Sequence, residues 1–277
     1  MKLIRFGPKG REKPGVIDSG GNLRDASGVV ADWSGATLTD QSLAQISADE
    51  LPRIDTKARL GSPLTGVGKI VGIGLNYRAH AAEAGLEAPT EPVIFLKATS
   101  ALSGPCDDIV LPRGSVQTDW EVELAVVSGT GGSYIPQAQA LSHVAGYCIA
   151  NDVSERDYQL QRGTQWSRGK SADTFAPLGP WLVTRDEVPD PQNLDLKLSL
   201  NGEVMQSGNS ADMIFTVAEL IASVSTYMSL QAGDVMITGT PPGVGLGMKP
   251  PRYLRPGDSL RLEVAGLGEQ NARVVAG

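Results

Sequence analysis

A β-rich α+β fold with a small N-terminal unit is what this sequence predicts, and three observations predict it. Short β-prone runs recur along most of the 277 residues, separated by turns drawn from 33 Gly and 18 Pro. One alternating run is split by Asn201-Gly202, a strong hairpin signal. A Gly/Pro-rich connector, "RLGSPLTGVGK" at 59–69, sets a short leading stretch apart from the rest. The division is placed at 1–65, a small N-terminal domain, and 66–277, the larger body.

The elements follow in order. "KLIRF" and "KPGVID" read as short strands around turns. "LTDQSLAQIS" carries an N-cap candidate, Thr39 or Asp40, ahead of helical apolar spacing. "KIVGIGLNY" (69–77) reads as a buried strand, and "RAHAAEAGL" as a short helix or lid ended near Gly85 and Pro89. "EPVIFLKATSAL", "DIVLP" and "WEVELAVVSG" are strand-like, "IPQAQALSHV" helical, and "AGYCIAND" a strand. "VSERDYQLQR" reads as a helix with Ser154 and Asp157 at capping-box spacing. After the Asn201-Gly202 hairpin, "MIFTVAELIASVSTYMSL" is an amphipathic helix. "GDVMITGTPPGVG" is a strand running into a loop, and "GDSLRLEVAGLGEQNARVV" a closing hairpin.

Composition narrows the function. The net charge of −7 offers no basic face for nucleic acid. No apolar run reaches the roughly eighteen residues of a membrane span. The opening "MKLIRFGPKG" goes straight to charge and turns, unlike a secretory leader. Cys106 and Cys148 form no CxxC pair and read as free thiols of a reducing cytoplasm.

The stretch "QTDWEVELAVVSG" (117–129) puts Asp119, Glu121 and Glu123 on one strand face, opposite Trp120, Val122 and Leu124. A solvated edge strand fits this pattern. So does a hard-cation site, because carboxylates leading into an apolar strand need compensation. Oxygen ligands suit Mg²⁺, Mn²⁺ or Ca²⁺. With two histidines and no Cys cluster, zinc is disfavoured. Asp152, at a strand-to-helix turn, is either a helix cap or a third oxygen ligand. Arg156 and Gln159 lie three apart on the following helix and together suit a carboxylate or keto acid. His80 and Glu83, also three apart, are either a chance surface pair or an oriented general base. Lys170 is a solvated lysine or a cation near a developing enolate. The loop "ITGTPPGVGLG" is a plain turn or an anion cradle using backbone N–H groups and the Thr240 hydroxyl. Two other Gly patterns fail. "RGKS" has five residues between Gly163 and Gly169 where a P-loop needs four, and Tyr77 stands where a dinucleotide fingerprint needs its third Gly.

Taken together, "GLNYRAHAAE", "TDWEVELAVV", "GYCIANDVSERD", "RGKSADTFAPLGP" and "ITGTPPGVG" resemble the fumarylacetoacetate hydrolase family over about residues 69–277. The resemblance implies a mixed β-sandwich roll, a homodimer, and Mg²⁺ or Mn²⁺ held by Glu121, Glu123 and Asp152, with Asp119 a neighbour. It implies His80 and Glu83 as the water-activating pair on a lid, Lys170 as the active-site lysine, and Arg156, Gln159 and Thr240 lining the substrate site. Ile73 stands where the founding hydrolase has a further Asp ligand. The opening "MKLIRFGPKGREKPGVID" and "GTPPGVGLGMKPPRYLRPGD" look most like the 2,4-diketo-3-deoxy sugar-acid hydrolases. The expected reaction is metal-dependent hydrolysis of a C–C bond in such a small keto acid, giving pyruvate and a short hydroxy acid. Acylpyruvate hydrolysis, oxaloacetate decarboxylation and ureidoglycolate cleavage are the alternatives on the same site.

Overall fold

The computed structural model describes residues 1–55 and 57–277. Its architecture is β-rich with few and short helices, as the sequence predicts. A ten-stranded mixed sheet and a five-stranded sheet face each other, and a two-stranded ribbon lies beside them. The centre of the large sheet is the antiparallel pair Val122–Ser128 and Val144–Asn151. Val235–Ile237 flanks it antiparallel and then pairs parallel with Ile70–Gly74. The small sheet is built on the hairpin Asp195–Leu200 and Glu203–Asn209 and on the closing hairpin Ser259–Val264 and Gly268–Ala276. Asn201 and Gly202 at the first hairpin's turn have φ of 52° and 84°, the paired positive values a two-residue hairpin requires.

Side-chain alternation builds two cores, one on each face of the large sheet. Val122, Leu124 and Val126 pack with Leu196, Leu198, Leu260 and Leu262 of the small sheet. Ala125 and Val127 point the other way, toward Leu178, Leu182 and Cys148, with Trp33, Leu38 and Leu64 covering them. Residues 1–65 add three strands to the large sheet, because Lys2–Phe6 pairs antiparallel with Ala176–Thr184. No described helix is long and apolar enough to cross a membrane.

Two local readings need correction. "IPQAQALSHV" forms a 3₁₀ helix, Gln137–His143. The helix Arg156–Leu160 has no capping box, since Ser154 lies in the ribbon strand and donates its hydroxyl to the Asp152 carbonyl. The Glu155 carboxylate at the cap position is taken up by Ser115, Thr118 and the Gln117 N–H. The capping box lies instead at Thr216 and Glu219, which open the helix Val217–Tyr227.

Candidate active site

Glu123 shares a face with Ala125 and Val127, as period two demands, but it sits where the strand leaves the sheet's centre. Glu121 precedes that strand, and Asp152 follows its partner Val144–Asn151. The antiparallel register therefore brings three carboxylates together, with oxygens all within 4.8 Å of one another. All three are buried, at 4%, 2% and 1% exposure, so water does not neutralise them.

The chain's own cations compensate in part. Lys170 Nζ donates to Glu121 Oε2 at 2.8 Å and to Asp152 Oδ2 at 2.6 Å. Arg156 Nη2 donates to Glu121 Oε1 at 2.7 Å. Burial alone would raise the Glu121 carboxyl, but Lys170 and Arg156 outweigh it and hold that group well below the ordinary carboxylate range. Glu123 has only the Gly239 N–H, at 2.7 Å. Burial, then the neighbouring Asp152 and Glu121 charges, push its carboxyl well above the ordinary range. Three clustered hard oxygen donors, one of them short of positive charge, fit a divalent cation such as Mg²⁺ or Mn²⁺.

Lys97 is a buried cation that the sequence reading did not single out. Its ammonium bonds to Asp152 Oδ1 and, at 3.2 Å, to the Val153 carbonyl. The signal was the period of "VIFLK": Lys97 shares the buried face with Phe95 while Leu96 points outward. Burial pulls the Lys97 pKa down, against Asp152, which raises it.

Asp119 stands outside the carboxylate trio. It accepts from Arg156 Nε and from the N–H groups of Trp120, Gly245 and Leu246. The Gly/Pro loop gives Gly239 to Glu123, Gly243 to Glu83, and Gly245 and Leu246 to Asp119. The anions this loop holds are thus the chain's own carboxylates, where the sequence suggested a ligand's. The Thr240 hydroxyl donates to the Val122 carbonyl at 2.9 Å and accepts from Gln206 at 2.7 Å.

His80 and Glu83 lie on the helix Arg78–Glu83, with Nδ1 3.2 Å from Glu83 Oε2. The Gly243 N–H donates to the same carboxylate at 2.9 Å, so Glu83 ties this helix to the Gly/Pro loop. Arg156 donates to Asp119, to Glu121 and, through Nη1 at 3.0 Å, to the Gln159 side-chain oxygen. That bond leaves the Gln159 amide nitrogen to face a ligand. His80, Glu83, Glu121, Glu123, Asp152, Arg156, Gln159, Lys170 and Thr240 all line one cavity of about 320 Å³. His143 lies apart, with Nδ1 against the Thr130 carbonyl.

Comparison with known proteins places the chain among proteins of one family and fold. The family model for the fumarylacetoacetate (FAA) hydrolase C-terminal region matches residues 69–275. A Burkholderia orbicola (strain MC0-3) protein, named as a hydrolase with no substrate stated, is 56% identical over 277 residues, covering 99% of this chain and 98% of that one. Fumarylacetoacetate hydrolase from the psychrophile Exiguobacterium antarcticum superposes with a TM-score of 0.87 at 37% identity, covering 100% of both chains. Maleylpyruvate hydrolase from Sphingobium sp. SYK-6, in complex with manganese(II) ion and pyruvate, superposes with a TM-score of 0.83 at 30% identity, again over 100% of both chains.

Proposed function

This chain belongs to the fumarylacetoacetate hydrolase family, and on that premise we propose that it hydrolyses a C–C bond in a 2,4-diketo acid, releasing pyruvate and a carboxylic acid. Its fold is the family's, a mixed β-sandwich roll. The observation that carries the reading is the placement of the Glu121, Glu123 and Asp152 oxygens beside a His80–Glu83 pair in one cavity.

A divalent cation held by Glu121, Glu123 and Asp152 would supply Lewis acidity toward the oxygens of a keto acid. The protein's own groups do the proton work. With Glu83 ionised, the His80 tautomer carrying its proton on Nδ1 makes the observed bond, which leaves Nε2 as the base. His80 takes a proton from water, and the resulting hydroxide adds to the C4 carbonyl. The C3–C4 bond then breaks, and its electron pair becomes the enolate of pyruvate. The Lys170 ammonium, held by two carboxylates, stabilises that negative charge. Protonation at C3 completes pyruvate, so one water is consumed and two acids form. The Gln159 amide N–H groups, aimed by Arg156, orient the substrate's oxygens.

The test is a screen of 2,4-diketo acids with Mn²⁺ or Mg²⁺, reading pyruvate, with His80→Ala alongside. Pyruvate from the native protein and almost none from the variant supports the reading. Equal rates, or no pyruvate from any acid, overturns it.

A further inference from the structure

The cavity is lined by charged and by apolar side chains together. Its ionisable lining side chains are the carboxylates, His80, Arg156 and Lys170 already described, with Gln159 and Thr240 beside them. The rest of the wall is mostly apolar and includes Leu75, Leu86, Phe95, Leu160 and Trp166, with the Lys170 ammonium 5.0 Å from the Phe95 ring centroid. Phe95 and Trp166 touch, with ring centroids 5.8 Å apart. Trp166 can approach the sheet closely because residue 74 is Gly: a Cβ there would fall 2.4 Å from the indole ring. Leu86, beyond the His80 helix, and Leu160, at the end of the Arg156 helix, are 52% and 45% exposed. Single exposed leucines are ordinary, but these two stand at the rim of one cavity.

The cations tell against a charged tail. Among the described residues, Arg156 and Lys170 are the only Arg or Lys lining the cavity, and each is already held by two carboxylates. A second carboxylate, far from the diketo head, would find no cation free of the chain's own carboxylates. A polyol would fare little better: among the described residues Thr240 is the only hydroxyl-bearing one in the lining, and its oxygen is bonded on both sides. Either tail would leave water for fewer hydrogen bonds, which favours rejection.

Building on the proposed hydrolysis, we infer that the acyl tail of the substrate is uncharged and apolar, a short alkyl or aryl group, and that Leu86, Leu160 and Trp166 select it. This departs from the polyol tail suggested by the sequence resemblance. A tail seated between Leu86 and Leu160 covers both and closes the rim behind the reacting carbon.

The test compares three 2,4-diketo acids of similar length, ending in an alkyl or phenyl group, a carboxylate, or a polyol. The apolar acid should show kcat/KM about tenfold or more above the other two. Leu86→Ala and Leu160→Ala, both at exposed positions and so expected to fold, should each narrow that ratio by about fivefold. Leu160→Arg should move the preference toward the carboxylate-ended acid. Affinity for the same acids is measured separately by calorimetry with Mn²⁺. If none releases pyruvate yet the apolar acid binds tightest, the tail assignment stands and the hydrolysis fails. A preference for the carboxylate- or polyol-ended acid, or ratios unmoved by all three variants, overturns the assignment.

Discussion

Asp152 donates its backbone N–H to the carbonyl of Glu121 at 2.9 Å, across the ends of two antiparallel strands. Like charges facing each other across a ladder repel, yet here the ladder itself sets them side by side. The cation proposed for the site resolves that conflict. Glu121→Gln and Asp152→Asn should therefore each weaken Mn²⁺ binding by more than about tenfold. Calorimetry on the folded variants reads this, and unchanged affinity removes that residue from the ligand set. A chelator should abolish pyruvate release, and added Mn²⁺ or Mg²⁺ should restore it.

Lys97 is predicted to hold Asp152 from behind. Lys97→Met takes the ammonium from Asp152 Oδ1 and leaves a buried carboxylate with less positive charge around it. Breaking a buried pair in this way costs about 3–5 kcal/mol. Thermal unfolding of the metal-free protein should show a correspondingly large fall in Tm. A shift within experimental error would mean that the pair contributes little.

His80→Ala should lower turnover by about 10²–10⁴-fold, the usual loss for a general base. Mn²⁺ affinity should stay as in the native protein, because His80 is outside the carboxylate trio. Glu83→Gln removes the anion that sets the tautomer and weakens the tie to Gly243. It should lower kcat with a smaller effect than His80→Ala. Full activity in either variant rules out that residue's assigned role.

Arg59 joins the leading segment to the body. It donates to both oxygens of Asp107, at 2.7 and 2.6 Å, and to Glu12 at 2.8 Å. Burial raises the Asp107 and Glu12 carboxyls, but Arg59, helped by the Gly104 N–H at Asp107 and by Arg5 at Glu12, outweighs it, so both lie below their ordinary values of 3.8 and 4.5. A depressed folded value means the unfolded chain binds protons first. The contribution is therefore whole above the ordinary values and is lost as pH falls through the lowered folded ones. Arg59→Met should lower stability by about 1 kcal/mol at neutral pH, a figure kept small because Arg59 is partly exposed. The gap in Tm between native protein and variant should shrink below pH 4; a constant gap would contradict this.

Period two made part of the carboxylate cluster legible: it set Glu121 and Glu123 on one face but grouped them with Asp119, and Asp152 was read as a ligand over a helix cap only through the family resemblance. His80 and Glu83 were legible as a pair because they share a helix turn. Lys97 was missed because a lone lysine in a strand ordinarily turns to solvent, and only its partner, 55 residues away in sequence, makes it buried. The role of the Gly/Pro loop was half legible. Its composition suggested anion binding, but nothing local names Glu83, Glu123 and Asp119 as the anions. The capping error at Ser154 has a similar cause. A tertiary bond to the Asp152 carbonyl outcompeted the local one that the spacing suggests.

The antiparallel pairing of Lys2–Phe6 with Ala176–Thr184 has a practical consequence. A fragment trimmed to the family-matched residues 69–275 would leave the Leu182–Val183 end of the Ala176–Thr184 strand as a raw edge, with open N–H and carbonyl groups, while Ala176–Pro177 keep their pairing to Leu102–Ser103. It would also strip Trp33, Leu38 and Leu64 from the apolar layer above Ala125 and Val127. Such a fragment is built to self-associate, and it should be recovered as aggregate.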